Sequence, residues 1–255
     1  MIEKMKKYHF LFEELVKRDF KKKYKRTTLG VLWSLLSPLM HLLVMATVFT
    51  QFFGRDTPHY VIYVFCGNIV FSFFTEATKG GMASIMGNAG IFTKVNVPKY
   101  LFVLSKNVQS LINFLLIIIV LFFFVAVDGL PFTWKFFCLL YPISCLILYN
   151  IGLGMVLASM FVFFRDTQYL YDIFTQLLMY LSAIFYTIDR YSPLMQKFFL
   201  LNPLYLFITY FREIVINGTI PSLTVHLLIL LYSLITFGIG CWVYKKYNTK
   251  FLYYV

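Results

Sequence analysis

Long apolar runs alternate with short polar stretches along the whole chain. Six such runs stand out, at 31–53, 60–78, 107–127, 136–164, 172–188 and 223–244. A helix rises about 1.5 Å per residue, so the first run would make a helix of roughly 34 Å, enough to cross a hydrocarbon core of about 30 Å. The pattern predicts an all-α polytopic membrane protein with six transmembrane helices.

A seventh apolar stretch, at 194–216, is interrupted in its middle by the dipeptide Asn202-Pro203. Proline removes a backbone donor and disfavours helical geometry in the residue before it. We therefore predict that the segment 189–222 is a re-entrant pair of short helices between spans five and six rather than a further crossing. Such a shape needs protein or water to satisfy its broken backbone.

The first thirty residues combine a strongly basic face with an apolar one. The apolar positions recur at helical spacing, at Phe12, Leu15, Val16, Phe20 and Tyr24. This spacing predicts an amphipathic helix over 10–26 that lies on the inner leaflet, within an interface region 1–30 that precedes a six-span domain 31–255. Two roles are open for the basic face: attraction of Lys and Arg to anionic lipid, which alone would account for the charge, or a part in coupling to a partner.

Composition supports a membrane protein, with 60% hydrophobic and only 13% charged residues despite a net charge of +12. The basic cluster borders an apolar run, so it marks a membrane boundary and not a nucleic-acid interface. Eighteen of the 23 Lys and Arg residues fall in 1–30, 79–106, 165–172 and 245–255, which predicts that both termini are cytoplasmic. Scattered Cys and His residues indicate neither a disulfide framework nor a metal site.

Nucleotide-binding and hydrolytic motifs do not occur in the sequence. It contains no G-x-x-x-x-G-K-[ST], H-E-x-x-H or G-x-S-x-G pattern, so any ATP chemistry must come from a partner subunit and a hydrolase is disfavoured. A lipid-modifying enzyme would require a cluster of polar catalytic residues, and none is evident. Glu76 lies near a span interior without the further buried carboxylates of a proton-coupled transporter. Non-enzymatic transport driven by an external motor fits best.

Four segments in a fixed order carry a family resemblance: "TLGVLWSLLSPL" after the basic helix, "IFTKVNVPKYL", "VFFRD", and "LNPLYLFITYFREIVINGTIP". With them the chain resembles the permease subunit of type-2 ATP-binding-cassette exporters. More narrowly, it resembles the Wzm/TagG-like polysaccharide or teichoic acid export family. The resemblance runs nearly from end to end.

The resemblance implies a subunit that exports lipid-linked polysaccharide (O-antigen, wall polysaccharide or teichoic acid) across the bacterial cytoplasmic membrane. It further implies a homodimer that works with two ATP-binding-cassette ATPase subunits, which would bind ATP and Mg, while this chain would bind no cofactor. The alternative is a type-2 permease that exports a small hydrophobic drug or antibiotic.

Three sets of site residues are expected. In the cytoplasmic segment 79–106, a short apolar face is expected to dock on the ATPase, unless it packs on its own spans; its residues are Ile85, Met86, Ile91, Phe92 and Lys94. In 189–222, an outer gate, or else an inert cap, is expected at Pro193, Asn202, Pro203 and Arg212. Aromatic rings stack on sugars, so the candidates to line a conduit are Trp33, Phe71, Phe74, Tyr180, Phe185 and Tyr186.

Overall fold

The computed structural model of the chain describes residues 8–24, 30–33, 36–40, 43–44, 47–48, 58–189 and 191–254. Numbered in chain order, the α-helices with described bounds are α1 His9–Tyr24, α2 Tyr60–Gly87, α3 Ala89–Phe92, α4 Tyr100–Val127, α5 Leu140–Phe163, α6 Thr167–Leu181, α7 Pro193–Phe199, α8 Pro203–Val215 and α9 Leu223–Tyr247. Short 3-10 helices occupy Gly30–Leu32, Trp134–Leu139 and Lys250–Tyr253. No strand occurs among the described residues, and the predicted all-α class is confirmed.

Within the described residues, four helices are long and apolar enough to cross a bilayer: α2, α4, α9, and the continuous helix Trp134–Phe163 that contains α5. They confirm the apolar runs predicted at 60–78, 107–127, 136–164 and 223–244. Eleven of the 23 residues of the run 31–53 lie outside the described residues. The number of six spans therefore stays a prediction.

The bounds predicted for the fifth span, 172–188, are wrong. Helix α6 begins at Thr167 and has 15 residues, about 22 Å at 1.5 Å per residue, which is shorter than the roughly 30 Å of a hydrocarbon core. The chain leaves helical geometry directly afterwards, because Ala183 has a positive φ of 49°. Residues 182–189 follow as irregular backbone.

Helices α2 and α4 each have 28 residues and extend well past the runs that predicted them. The predicted cytoplasmic segment 79–106 is therefore mostly helical. The part between α2 and α4 narrows to residues 88–99, which include the short helix α3 and which we call the connecting segment. The extension of α2 follows from close packing on α5: a Cβ at Gly81 would lie 3.1 Å from the Cα of Gly154. Small residues at such contacts let helices approach closely in membranes.

Helix α5 makes a second close contact, with α9. A Cβ at Gly152 would lie 2.6 Å from the Cα of Phe237, so glycine is required there. The main core forms between α2, α4, α5, α8 and α9. Because α2 runs through this core, its two ends define the ends of the molecule. We call the end at Tyr60 the bent-pair end and the end at Gly87 the terminal end.

A second apolar cluster lies at the terminal end and joins parts of the chain that are distant in sequence. Its buried members come from α1, α2, the connecting segment, α4, α5 and the C-terminal 3-10 helix: Leu15, Ile85, Phe92, Phe102, Val103, Met155, Ala158, Val162 and Phe251. The predicted amphipathic helix is thus confirmed as a helix. Its face at Leu15 is covered by protein and not presented to lipid.

Candidate functional site

The connecting segment contains the residues expected to dock on an ATPase, and the structure corrects their exposure. Ile85 and Phe92 are buried in the cluster at the terminal end, and Met86 and Ile91 pack against it partly buried. The expectation that they form an exposed apolar face is wrong for Ile85 and Phe92, because helix packing gives them a core to enter. Lys94 is exposed.

The exposed part of the connecting segment lies just after the expected residues. Thr93, Lys94, Val95 and Asn96 form a continuous exposed run, in which the Val95 side chain is 57% accessible. A partner that contacts this segment would therefore meet residues 93–96. Ile85 and Phe92 would support that surface from inside.

Lys99 fixes the end of the connecting segment to the C-terminal part of the chain. Its Nζ donates to the backbone oxygen of Asn248 at 2.9 Å and lies 5.5 Å from the ring centre of Phe92 and 5.9 Å from that of Phe251. Burial lowers the pKa of Lys99, since a low-dielectric environment disfavours the charged form. This side chain was not singled out from the sequence.

At the bent-pair end, α7 and α8 meet at an angle of 98°. Each helix begins at a polar residue followed by proline: the Asn202 side chain accepts a hydrogen bond from the Leu204 N–H, and Ser192 accepts from the Met195 N–H. Pro193 and Pro203 occupy the first helical positions, where a missing N–H costs least. The predicted pair of short helices is confirmed; its depth in a membrane stays a prediction.

Arg212 of α8 is buried and joins three parts of the chain. Its Nε donates to the backbone oxygen of Tyr63 at 3.1 Å, Nη1 to that of Ala183 at 3.0 Å, and Nη2 to that of Ile184 at 2.8 Å. The guanidinium also lies 3.4 Å from the ring centre of Tyr63. Arg212 thus holds α8, α2 and the irregular backbone after α6 together.

Two further side chains satisfy the same irregular backbone, and a third satisfies the last carbonyl of α6. Tyr60 and Tyr63 donate their hydroxyl hydrogens to the backbone oxygens of Phe185 and Tyr186, each at 2.8 Å. The Asn202 Nδ2 donates to the backbone oxygen of Leu181 at 3.1 Å. Side chains thereby replace the solvent that broken backbone would otherwise need inside an apolar environment.

The sequence pointed to Asn202 and Arg212 but missed Tyr60 and Tyr63. Two tyrosines three residues apart at the start of an apolar helix were the available signal, because such a spacing places both hydroxyls on one helix face. What they bond to could not be inferred, since the carbonyls lie more than 120 residues away.

The two halves of the bent pair differ in burial. Helix α8 buries nine of its 13 residues, including Phe207, Tyr210 and Arg212, whereas no residue of α7, which is described in full, is buried. Helix α7 is held by peripheral contacts, such as the hydrogen bond from Gln196 Nε2 to the Tyr191 backbone oxygen at 3.1 Å. The expected gate residues therefore divide into a fixed group, Asn202, Pro203 and Arg212, and the exposed Pro193.

The conduit candidates do not form one surface. Phe71, Phe74 and Phe185 are buried in the main core, so the expectation that they line a conduit is wrong: they face neighbouring helices of the same chain. Trp33 and Tyr180 are exposed. Tyr186 packs its ring edge-on against Tyr191 and Phe199 and so belongs with the bent pair.

Comparison with known proteins places the chain in a family. Residues 11–216 match the family model described as ABC-2 type transporter. Because this match covers most of the sequence, the chain belongs to the ABC-2 type transporter family. The match includes α1, the connecting segment and the bent pair, and it confirms the resemblance seen in the sequence motifs.

Several curated proteins are similar over most of their length. The chain is 26% identical over 226 residues to the O-antigen export system permease protein RfbA of Myxococcus xanthus, with 87% of this chain and 86% of that protein covered. It is 25% identical over 247 residues to RfbA of Klebsiella pneumoniae, with 95% of each covered. It is 24% identical over 236 residues to the polysialic acid transport protein KpsM of Escherichia coli, with 91% and 92% covered.

Proposed function

We propose that this chain is the transmembrane permease subunit of an ATP-driven exporter that moves lipid-linked polysaccharide across the bacterial cytoplasmic membrane. The observation that carries the proposal is similarity over nearly the full length to permeases named for O-antigen and polysialic acid. The drug or antibiotic alternative has no such support from these relatives. Among polymers, O-antigen and capsule-type polysaccharide are better supported than teichoic acid.

The chain needs an ATPase partner, because its sequence has no P-loop. We propose that two copies of the chain combine with two ATPase subunits that bind ATP and Mg. A long polar polymer cannot cross hydrocarbon unaided, and a symmetric dimer is the simplest way to enclose a path with so few helices. The exposed Trp33 and Tyr180 remain candidates to line that path.

In this assembly the terminal end is cytoplasmic and the bent-pair end faces outward, as the distribution of Lys and Arg predicts. Residues 93–96 contact the ATPase.

Two exposed lysines test the orientation in a Cys-free background. Cysteine at Lys197 should react with an impermeant maleimide in intact cells, after removal of any outer barrier, and cysteine at Lys94 should not. Labelling of Lys94→Cys alone would show that the chain has the opposite orientation.

The outer gate is α7, and α8 is its fixed support. A gate must move at low cost, and α7 has no buried side chain of its own to uncover, whereas movement of α8 would break the three Arg212 hydrogen bonds. Pro193 and the break before Pro203 allow α7 to tilt without disrupting a long helical hydrogen-bond ladder.

Deletion of the gene tests the function most simply. Loss of the permease should remove the polysaccharide from the cell surface while its lipid-linked form accumulates inside, and a plasmid copy should restore export. Unchanged surface polysaccharide, together with new sensitivity to a hydrophobic drug, would instead favour the small-molecule alternative.

A further inference from the structure

The N-terminal helix α1 carries a buried carboxylate in the middle of its protein-facing side. The Asp19 side chain is 3% exposed, and it lies one helical turn after Leu15, which is also buried. Aspartate is almost never buried to this extent unless it is paired. A helix that served only to anchor the chain in lipid would have no use for a carboxylate at this position.

Two cations meet this carboxylate, and one of them belongs to another helix. Arg18 donates from Nη2 to Asp19 Oδ1 at 2.7 Å, and the Lys106 Nζ of α4 lies 3.0 Å from Asp19 Oδ2. Arg18 also donates from Nη2 to Asn88 Oδ1 at 2.7 Å, and Asn88 itself donates to the backbone oxygen of Ser84. The carboxylate thereby links α1 to α4 and holds the Arg18 guanidinium that bonds the first residue of the connecting segment.

A second contact, at the residue just before α1, reaches the same segment. The Tyr8 hydroxyl donates to the backbone oxygen of Asn96 at 3.3 Å. Tyr8 and Arg18 are ten residues apart, about 15 Å along a helix; the partner of Arg18, Asn88, is the first residue of the connecting segment, and the partner of Tyr8, Asn96, is the last of its exposed run. Helix α1 is therefore fixed to the connecting segment at two points, just before its first turn and near its middle.

A buried ion pair of this kind is weak evidence for stability, because well-packed apolar residues of similar volume often do as well. The geometry of this pair instead indicates a role in alignment. Its charged partners allow only one register of α1 against the connecting segment. We infer that Asp19 is a positioning residue, which holds α1 and the connecting segment together so that they meet the ATPase subunit as one surface. The part of this inference that concerns the ATPase rests on the proposed function. The part that concerns the position of α1 does not.

Amide hydrogen exchange of the full-length protein in lipid nanodiscs tests the positioning without any partner. Asp19→Asn keeps the size of the side chain and removes its charge, and it should make the amides of residues 9–24 exchange about tenfold faster. The matched control is Glu14→Gln, which breaks the exposed Glu14–Lys17 pair of the same helix and should leave exchange unchanged. Equal exchange in Asp19→Asn and wild type would overturn the inference.

Stimulation of ATP hydrolysis tests the consequence for coupling. The permease is reconstituted with the ATPase subunit that co-purifies with it, and hydrolysis is compared with that of the ATPase subunit alone. Asp19→Asn and Lys106→Gln should each lose most of the stimulation at unchanged complex assembly, and the double variant should be no worse than either single one. Asp19→Glu should restore part of it.

The two failures are distinguishable. Absence of stimulation by the wild-type permease would contradict the proposed function and would leave the exchange result to decide on the positioning. Normal stimulation by Asp19→Asn, or strictly additive losses in the double variant, would show that Asp19 does not position the ATPase contact.

Discussion

Arg212 at the bent-pair end and Asp19 at the terminal end are both buried charges, but their partners differ. Arg212 is held by three backbone oxygens and a tyrosine ring, and the oxygens cannot move unless the backbone itself moves. Asp19 is held by the side chains of Arg18 and Lys106, which are long, flexible and partly exposed. The difference indicates that the bent-pair end is built around a fixed centre, whereas the terminal end can adjust its contacts.

This comparison also predicts that the two halves of the bent pair differ in mobility, as they differ in burial. Helix α8 carries Arg212 and is part of the core, and α7 extends beyond the fixed centre with every residue at least partly exposed. Movement at the bent-pair end is therefore expected in α7. At the terminal end, movement is expected in α1 and the connecting segment together, because they are fixed to each other.

The largest effect is expected from Arg212→Met. Removal of the guanidinium leaves three backbone oxygens without their donors, each worth about 1–3 kcal/mol when buried, so we expect a loss of roughly 5 kcal/mol and little folded protein. Arg212→Lys should be nearly as damaging, because one ammonium cannot reproduce the planar arrangement of donors. Thermal unfolding in detergent measures both, with the exposed Lys197→Met as the control. A near-normal melting temperature for Arg212→Lys would show that the fixed centre is not required.

A somewhat smaller effect is expected from Phe92→Ala in the connecting segment. Phe92 is buried, and truncation of a buried phenylalanine costs about 3–5 kcal/mol. Val95, three residues later, is exposed, so Val95→Asp should change the unfolding free energy by less than about 0.5 kcal/mol while it lowers stimulation of the ATPase. Normal stimulation by Val95→Asp would move the partner contact away from residues 93–96.

The smallest effect, and a sharper test of the fixed centre, is expected from Gly67→Ala. An added Cβ would lie 3.0 Å from Arg212 Nη2 and 3.2 Å from Ile184 Cγ2, and overpacking of this kind costs about 1–3 kcal/mol. Gly238→Ala is the matched control, because nothing within the described residues lies within 4 Å of its added Cβ. It should be neutral or stabilising by up to about 1 kcal/mol. Equal melting temperatures for the two variants would contradict tight packing around Arg212.

Hydropathy and proline positions were sufficient to predict several elements. The apolar runs located α2, α4, α5 and α9, and Pro203 located the break in the bent pair. Each of these depends on properties of a single segment: length, apolar character, or the missing donor of proline. Such properties can be read from sequence because no other part of the chain changes them.

Contacts between distant segments could not be predicted in the same way. The pairing of Asp19 with Lys106 and of Arg212 with Ala183 depends on how helices meet. An apolar run likewise does not distinguish a phenylalanine that faces a conduit from one that faces the core, which is why Phe71 and Phe74 were misassigned. The end of α2 was placed too early because its last turns begin with Lys79 and contain three glycines, although packing against α5 keeps them helical.

The measurement that tests the fixed-and-moving arrangement most directly is a distance between two spin labels across the bent pair. Cysteines replace Lys197 of α7 and Asn217, just after α8, in a Cys-free chain that is diluted with unlabelled copies in the assembled exporter. The distance distribution is recorded with and without ATP trapped in the ATPase subunits. We predict that it shifts between the two states, because α7 moves against a fixed α8. An identical distribution in both states, in an exporter shown to be active, would contradict α7 as the gate.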